Sequence, residues 1–208
     1  MTASVRRGLY AITDTGLLAD DVLLERVEQA IRGGARVIQY RDKQLAAAER
    51  RRQAATLATL SEPHSIPLII NDDLPLATAV GAAGVHHREQ DTGLQAARRK
   101  LGPSAIMGVS CYNRLELACV AAVGGADYVA FGRFFPSSTK PAAVQATPAL
   151  LTEARRRLDL PIVAIGGITP ENGAELISAG ADLLAVIHGV FAQPDVEAAA
   201  RRYAALFD

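Results

Sequence analysis

The chain has 208 residues, half of them hydrophobic, and its 22 lysines and arginines balance 22 aspartates and glutamates. That composition is ample for a large buried core, and zero formal net charge excludes the global field that draws a protein to nucleic acid or an anionic membrane. Any anion site must therefore be local. Cys111 and Cys119 lack the paired spacing of a zinc ribbon or a disulfide scaffold, so free thiols in a reducing compartment are expected. The basic residues near the start precede no apolar signal core, and no run approaches the roughly 20 apolar residues of a membrane span. A cytoplasmic protein follows as the expectation.

Short aliphatic or β-branched runs alternate with longer segments of helical apolar spacing. Strands are predicted at 9–13, 36–41, 68–71, 84–86, 105–110, 128–132, 162–166 and 183–187. Helices are predicted between and after them at 20–32, 46–61, 74–81, 92–101, 114–124, 148–158, 170–179 and 195–207. Glycines at 33–34, 124–125 and 180 stop helices just before strands. The phrases GGAR, VGAAGVH, GGADYVAFG and SAGADLLAV recur at helix-to-strand junctions, the mark of a repeated unit. Eight such units in 208 residues predict an α/β fold, a (β/α)8 TIM barrel near its lower size limit, as one domain over 1–208. An open doubly wound sheet would carry a Gly-rich turn after its first strand, and the segment YAITD has none.

In such a barrel the chemistry sits where the strands end, and these strands end in polar residues. Strand two runs into Gln39-Tyr40-Arg41-Asp42-Lys43, and alternation places Gln39, Arg41 and Lys43 on one side with Tyr40 and Asp42 on the other. An Arg fork beside a Lys point charge suits phosphate oxygens. Strand three ends in Asn71-Asp72-Asp73, and Asp91 follows strand four. Carboxylates on adjacent strand ends can share a hard cation such as Mg2+, while Asp73, ahead of Leu74 and Pro75, is placed to cap a helix. Asp91 reads either as a cap or as a metal ligand. His86 and His87, adjacent on a strand, point to opposite faces and do not form a chelate; packing or hydrogen bonding is expected of them.

Strand five ends at Ser110, and strand six leads into a long segment, 133–147, carrying Ser137, Ser138, Thr139 and Lys140. That segment reads either as hydrogen-bond donors for a diphosphate or as an ordinary loop. After strand seven come Gly166 and Gly167, and after strand eight Ile187, His188 and a short helix. Bare backbone N–H groups at these two places make the barrel's phosphate site, unless the Gly-Gly pair is only a tight turn.

Taken in order, LYAITD, QYRDK, NDD, GVHHREQD, GVS, GRFFPSSTK, AIGGI and LAVIHGVF resemble the thiamine-phosphate synthase (pyrophosphorylase) family from about residue 8 to 192. The resemblance implies a transferase that joins 4-amino-5-hydroxymethyl-2-methylpyrimidine diphosphate to a thiazole phosphate, plain or carboxylated, giving thiamine phosphate and diphosphate. It further implies that Gln39, Arg41, Lys43, Asn71 and Lys140 hold the pyrimidine diphosphate and that Asp72 and Asp91 bind one Mg2+. Ser110 is implied near the pyrimidine, Ser137 and Thr139 near the thiazole phosphate and reacting groups, and Gly167, Ile187 and His188 around the phosphate. Arg41, Lys43, Lys140 and Ser110 are then the catalytic set, and a homodimer the expected assembly. The chain departs from the family pattern at His87-Arg88-Glu89 (Leu-Gly-Gln in the pattern), Arg133 (Pro), Ser137 (Thr) and His188 (Ser). The rivals are a thiazole tautomerase on the same barrel, or a non-catalytic barrel that binds a phosphate ligand; the charged strand ends argue against both.

Overall fold

The computed structural model describes residues 5–88, 93–136 and 144–208, and in it the predicted strands join edge to edge in chain order. They are β1 (Gly8–Ile12), β2 (Ala35–Tyr40), β3 (Leu68–Asn71), β4 (Gly84–His87), β5 (Ile106–Tyr112), β6 (Tyr128–Gly132), β7 (Ile162–Ile165) and β8 (Leu183–Val186). All pairs are parallel, and β1 bonds β8 from Gly8 opposite Leu183 to Ala11 opposite Val186, which closes the ring. The helices are α1 (Asp20–Arg32), α2 (Ala47–Ser61), α3 (Leu74–Val80), α4 (Leu94–Leu101), α5 (Leu115–Val123), α6 (Pro148–Arg157), α7 (Pro170–Ala179), a short α8 (His188–Phe191) and α9 (Val196–Ala204), with a 3-10 turn at Ala205–Phe207. None of the described helices is long and apolar enough to cross a membrane.

Strand alternation sorts the apolar residues into two cores. Tyr10, Ile12, Val37, Ile69, Ile106, Tyr128 and Val163 pack inside the ring. Their neighbours Leu9, Ala11, Ile38, Ile70, Met107 and Val129 face outward and pack with helix residues such as Val27, Leu57, Leu151 and Leu176. Because both faces of each strand are covered, the strands read as continuous apolar runs. Gly84 is required by space: a Cβ there would enter the backbone of Ile106 on the adjoining strand.

Many boundaries differ from those expected by a residue or two, and at two of them the cause is visible. β5 continues two residues past Ser110, through a register shift against β6 between Ser110 and Tyr112. Asp195, predicted as the first residue of the last helix, lies outside it, because its carboxylate accepts the Ala198 N–H at 2.9 Å and so caps α9.

The recurring GGAD and AGAD phrases have a structural meaning at the end of the barrel away from the strand C-termini. Asp127 bonds Met107 twice: its N–H donates to the Met107 carbonyl at 2.8 Å, and its Oδ2 accepts the Met107 N–H at 2.7 Å. Arg98 of α4 donates to the same carboxylate at 2.8 Å and to the Gly125 carbonyl at 2.8 Å. Asp182 repeats the device with Ile162, to whose carbonyl it donates at 2.8 Å and from whose N–H it accepts at 2.8 Å, while Arg155 of α6 bonds Asp182 and the Gly180 carbonyl. Each aspartate thus fixes the start of one strand to the next and ties a helix to both. Asp127→Ala should destabilise the fold by about 1–3 kcal/mol, since it takes the side-chain acceptor from the Met107 N–H and the counter-ion from Arg98; urea unfolding would measure it, and a change below a few tenths would contradict this account.

Candidate active site

At the mouth formed by the strand C-termini, side chains from β1 to β8 surround a cavity of about 380 Å³. Its floor is polar although it lies inside an apolar ring. Gln39 of β2 donates from Nε2 to the Tyr10 hydroxyl at 2.7 Å, and Tyr10 and Tyr128 share a 2.7 Å hydrogen bond. Tyr128 bonds His86 Nδ1 at 2.9 Å, and His86 Nε2 lies 2.8 Å from Ser110 Oγ. Tyr10, Tyr128, Gln39 and His86 are all buried, so each polar tip needs the partner it has. Gly108 makes the arrangement possible, since a Cβ there would enter the Tyr128 ring.

One side of the mouth is charged. Arg41 is held at two points: its N–H donates to Thr13 Oγ1 at 3.1 Å, and its guanidinium pairs with Asp14 at 2.9 Å. Lys43 is exposed and lines the cavity with Arg41 and Asn71, on the side opposite Tyr40, whose hydroxyl bonds Gln53 of α2 at 2.8 Å outside the ring. Asp73 caps α3 by accepting the Leu76 N–H at 2.9 Å, which is the role its position predicts. Asp72 just before it adopts φ of 60°, a left-handed conformation unusual outside glycine, so that the chain leaves β3 abruptly. Its Oδ2 pairs with Arg88 Nε at 2.9 Å, whereas its buried Oδ1 has no hydrogen-bond partner among the described residues. A buried carboxylate oxygen with an open lone pair is a donor set suited to a hard cation.

The other side is largely backbone. Gly167 (φ of 63°) turns the chain after β7, and Gly166, Ile187, His188 and Gly189 complete this wall. The turn is tied from behind: Asn172 donates to the Gly167 carbonyl at 3.2 Å, and Tyr203 of α9 donates to the Ile168 carbonyl at 2.9 Å. Holding these carbonyls fixes which way the intervening peptides face, as an anion site made of N–H groups requires.

The structure therefore brings Gln39, Arg41, Lys43, Asn71, Asp72, Ser110, Gly167, Ile187 and His188 to one cavity. Asp91, Ser137, Thr139 and Lys140 lie outside the described residues. The flanks of the latter segment are at the mouth: Arg133 exchanges backbone bonds with Val144 at 3.1 Å and Ala146 at 2.8 Å, and Pro136 lines the cavity. Tyr10, Tyr128 and Arg88 also line the cavity, and none of them is among the site residues expected from the sequence.

A profile described as thiamine monophosphate synthase matches residues 9–190. The chain belongs to this family. It is 52% identical over 203 residues to a thiamine-phosphate synthase of Nitrosococcus oceani, covering 98% of this chain and 93% of the relative. It is 54% identical to one of Marinobacter nauticus, covering 97% and 91%. The solved thiamine phosphate pyrophosphorylase of Pyrococcus furiosus superposes with a TM-score of 0.86 at 32% identity, covering 97% of this chain and 96% of that one. A 3-hexulose-6-phosphate synthase superposes at 0.69 with 16% identity and shares the barrel alone.

Burial raises both the Tyr10 and the Tyr128 hydroxyls above the ordinary pKa of a tyrosine. Burial pushes Tyr203 up to about 12. A phenol with a raised folded pKa stabilises the fold below its unfolded pKa, near 10, and that contribution is lost as pH rises through the folded value. The thermal midpoint should therefore fall progressively above about pH 10, and a flat profile from there into stronger alkali would count against these assignments.

Proposed function

We propose that this chain condenses 4-amino-5-hydroxymethyl-2-methylpyrimidine diphosphate with 4-methyl-5-(2-phosphoethyl)thiazole, plain or carboxylated, to give thiamine phosphate and diphosphate. The observation that carries the reading is one cavity with a cationic wall at β2–β3, to which the diphosphate is assigned, and a backbone wall at β7–β8, to which the monophosphate is assigned. Family membership supports the choice of the two ring systems.

In this reading the bond from the pyrimidine methylene carbon to the diphosphate oxygen breaks, and its electron pair leaves with the diphosphate. The thiazole nitrogen supplies the pair for the new C–N bond, so no protein nucleophile is needed. The electron-rich aminopyrimidine stabilises the cationic carbon, and the protein's task is to neutralise the departing charge and align the reactants. Arg41 and Lys43, with Lys140 from the segment opening at Pro136, act as electrostatic stabilisers. Asn71 orients the diphosphate, and Gln39 and Ser110 hold the pyrimidine. Ser137 and Thr139, with the backbone at Gly167, Ile187 and His188, receive the thiazole phosphate. Asp72, with Asp91, would hold one Mg2+, which when bound offsets negative charge on the leaving group. The Arg88 guanidinium on Asp72 Oδ2 places a further cation beside the same carboxylate. We extend the reading to a homodimer, for which the exposed Val120 and Val123 on α5 offer apolar surface of the kind association buries.

Incubating the purified protein with both substrates and Mg2+ should yield thiamine phosphate; a folded protein that makes none would overturn the reading. Lys43→Ala should raise KM for the pyrimidine diphosphate about 10- to 100-fold, the worth of a charge-assisted hydrogen bond. Asp72→Asn should weaken Mn2+ binding, followed by calorimetry without substrates, and lower kcat with little loss of thermal stability. Unchanged Mn2+ affinity would remove Asp72 from the metal site.

A further inference from the structure

The floor of the cavity is a row of five hydrogen-bonding groups, Gln39, Tyr10, Tyr128, His86 and Ser110, whose successive separations are 2.7, 2.7, 2.9 and 2.8 Å. Each tyrosine hydroxyl has one proton to give, and a neutral imidazole has one donor and one acceptor nitrogen. The first link is directional, because Gln39 presents its amide nitrogen, which only donates, to Tyr10. Among the described residues, the Tyr10 proton then has the Tyr128 oxygen as its acceptor, and the Tyr128 proton has His86 Nδ1. With Nδ1 accepting, the imidazole proton sits on Nε2 and is given to Ser110 Oγ. Doubly protonated His86 would turn Tyr128 toward Tyr10 and leave the Tyr10 proton, fully buried, without an acceptor, a costly outcome in such a site.

We infer that this row is a single directed chain running from the Gln39 amide to Ser110, and that Tyr10, Tyr128 and His86 are positioning residues that make the Ser110 hydroxyl a donor toward the ligand. Gln39 keeps its carbonyl oxygen as an acceptor. The floor thus offers an acceptor at β2 and a donor at β5, the complement of an aromatic ring that carries an amine and a ring nitrogen. This ligand side rests on the aminopyrimidine reading above; the direction of the chain does not. Turning the Gln39 amide over would reverse every link and place the imidazole proton on Nδ1, so the tautomer of His86 reports the direction. Gly108 belongs to the same device, since it leaves the space that the Tyr128 ring fills.

The test is nitrogen NMR on the full-length chain labelled at its four histidines, with His86→Asn identifying the His86 signals. The expected result is a neutral ring protonated at Nε2. Tyr128→Phe removes the donor to Nδ1 and should populate the other tautomer. Gln39→Glu, three links away from His86, presents Tyr10 with an acceptor and should do so as well, and either variant suffices if the other fails to fold. Protonation at Nδ1 in the parent chain, or folded variants that keep the parent tautomer, would overturn the inference. In turnover, Tyr128→Phe should raise KM for the pyrimidine diphosphate about tenfold, the effect of losing one buried partner, and leave KM for the thiazole phosphate unchanged. Equal rises in both would overturn the positioning role. A chain that shows the expected tautomers but makes no thiamine phosphate would uphold the direction while defeating the functional reading.

Discussion

Closure of the ring through the pairing of β1 with β8 sends the C-terminal end of every strand to the same side of the molecule. Eight short polar sequences that are far apart in the chain then share one mouth. Gln39, Ser110 and His188, too far apart along the chain to meet within one local element, line a single cavity in this way. The same closure consumes all strand edges, so the backbone of the sheet is satisfied internally and the strand ends are free to vary in chemistry. The aspartate devices at Asp127 and Asp182 act at the other end of the strands, away from the mouth, which separates stability from chemistry.

A protein without net charge must build its anion site from local imbalance, and the mouth does so with paired groups. Arg41 is steadied by Asp14, and Asp72 by Arg88, so neither half-buried charge is left without a counter-ion. Pairing lowers the cost of withdrawing these groups from water, and it also limits how freely each can swing. The opposing wall needs no charge at all. There, peptide groups held by Asn172 and Tyr203 provide direction, and a backbone dipole does not have to be neutralised when the site is empty.

Between the two walls, the tyrosine–histidine floor solves a different problem. A polar ligand ring pressed against an apolar barrel interior would lose its hydrogen bonds to water and gain none. The row from Gln39 to Ser110 satisfies its inner members among themselves and keeps an acceptor at one end and a donor at the other for the ligand, so the site is ordered before a ligand arrives.

From the sequence alone, the number and order of the strands, the barrel they form and the residues at their ends could be read. Apolar periodicity and strand alternation are local properties: they placed Gln39, Arg41 and Lys43 opposite Tyr40, and helix-start chemistry singled out Asp73 as a cap. The tertiary structure decided what those residues touch. Tyr10 and Tyr128 are 118 positions apart and carry no local signal of a role until closure sets their hydroxyls 2.7 Å from each other. Likewise, the choice of Asp72 by Arg88, and the left-handed turn that leaves one Asp72 oxygen open, depend on how β3 and β4 end side by side. Periodicity carries only the face a side chain points to. Its partner across the ring is set by register and closure, which arise when all eight strands are in place.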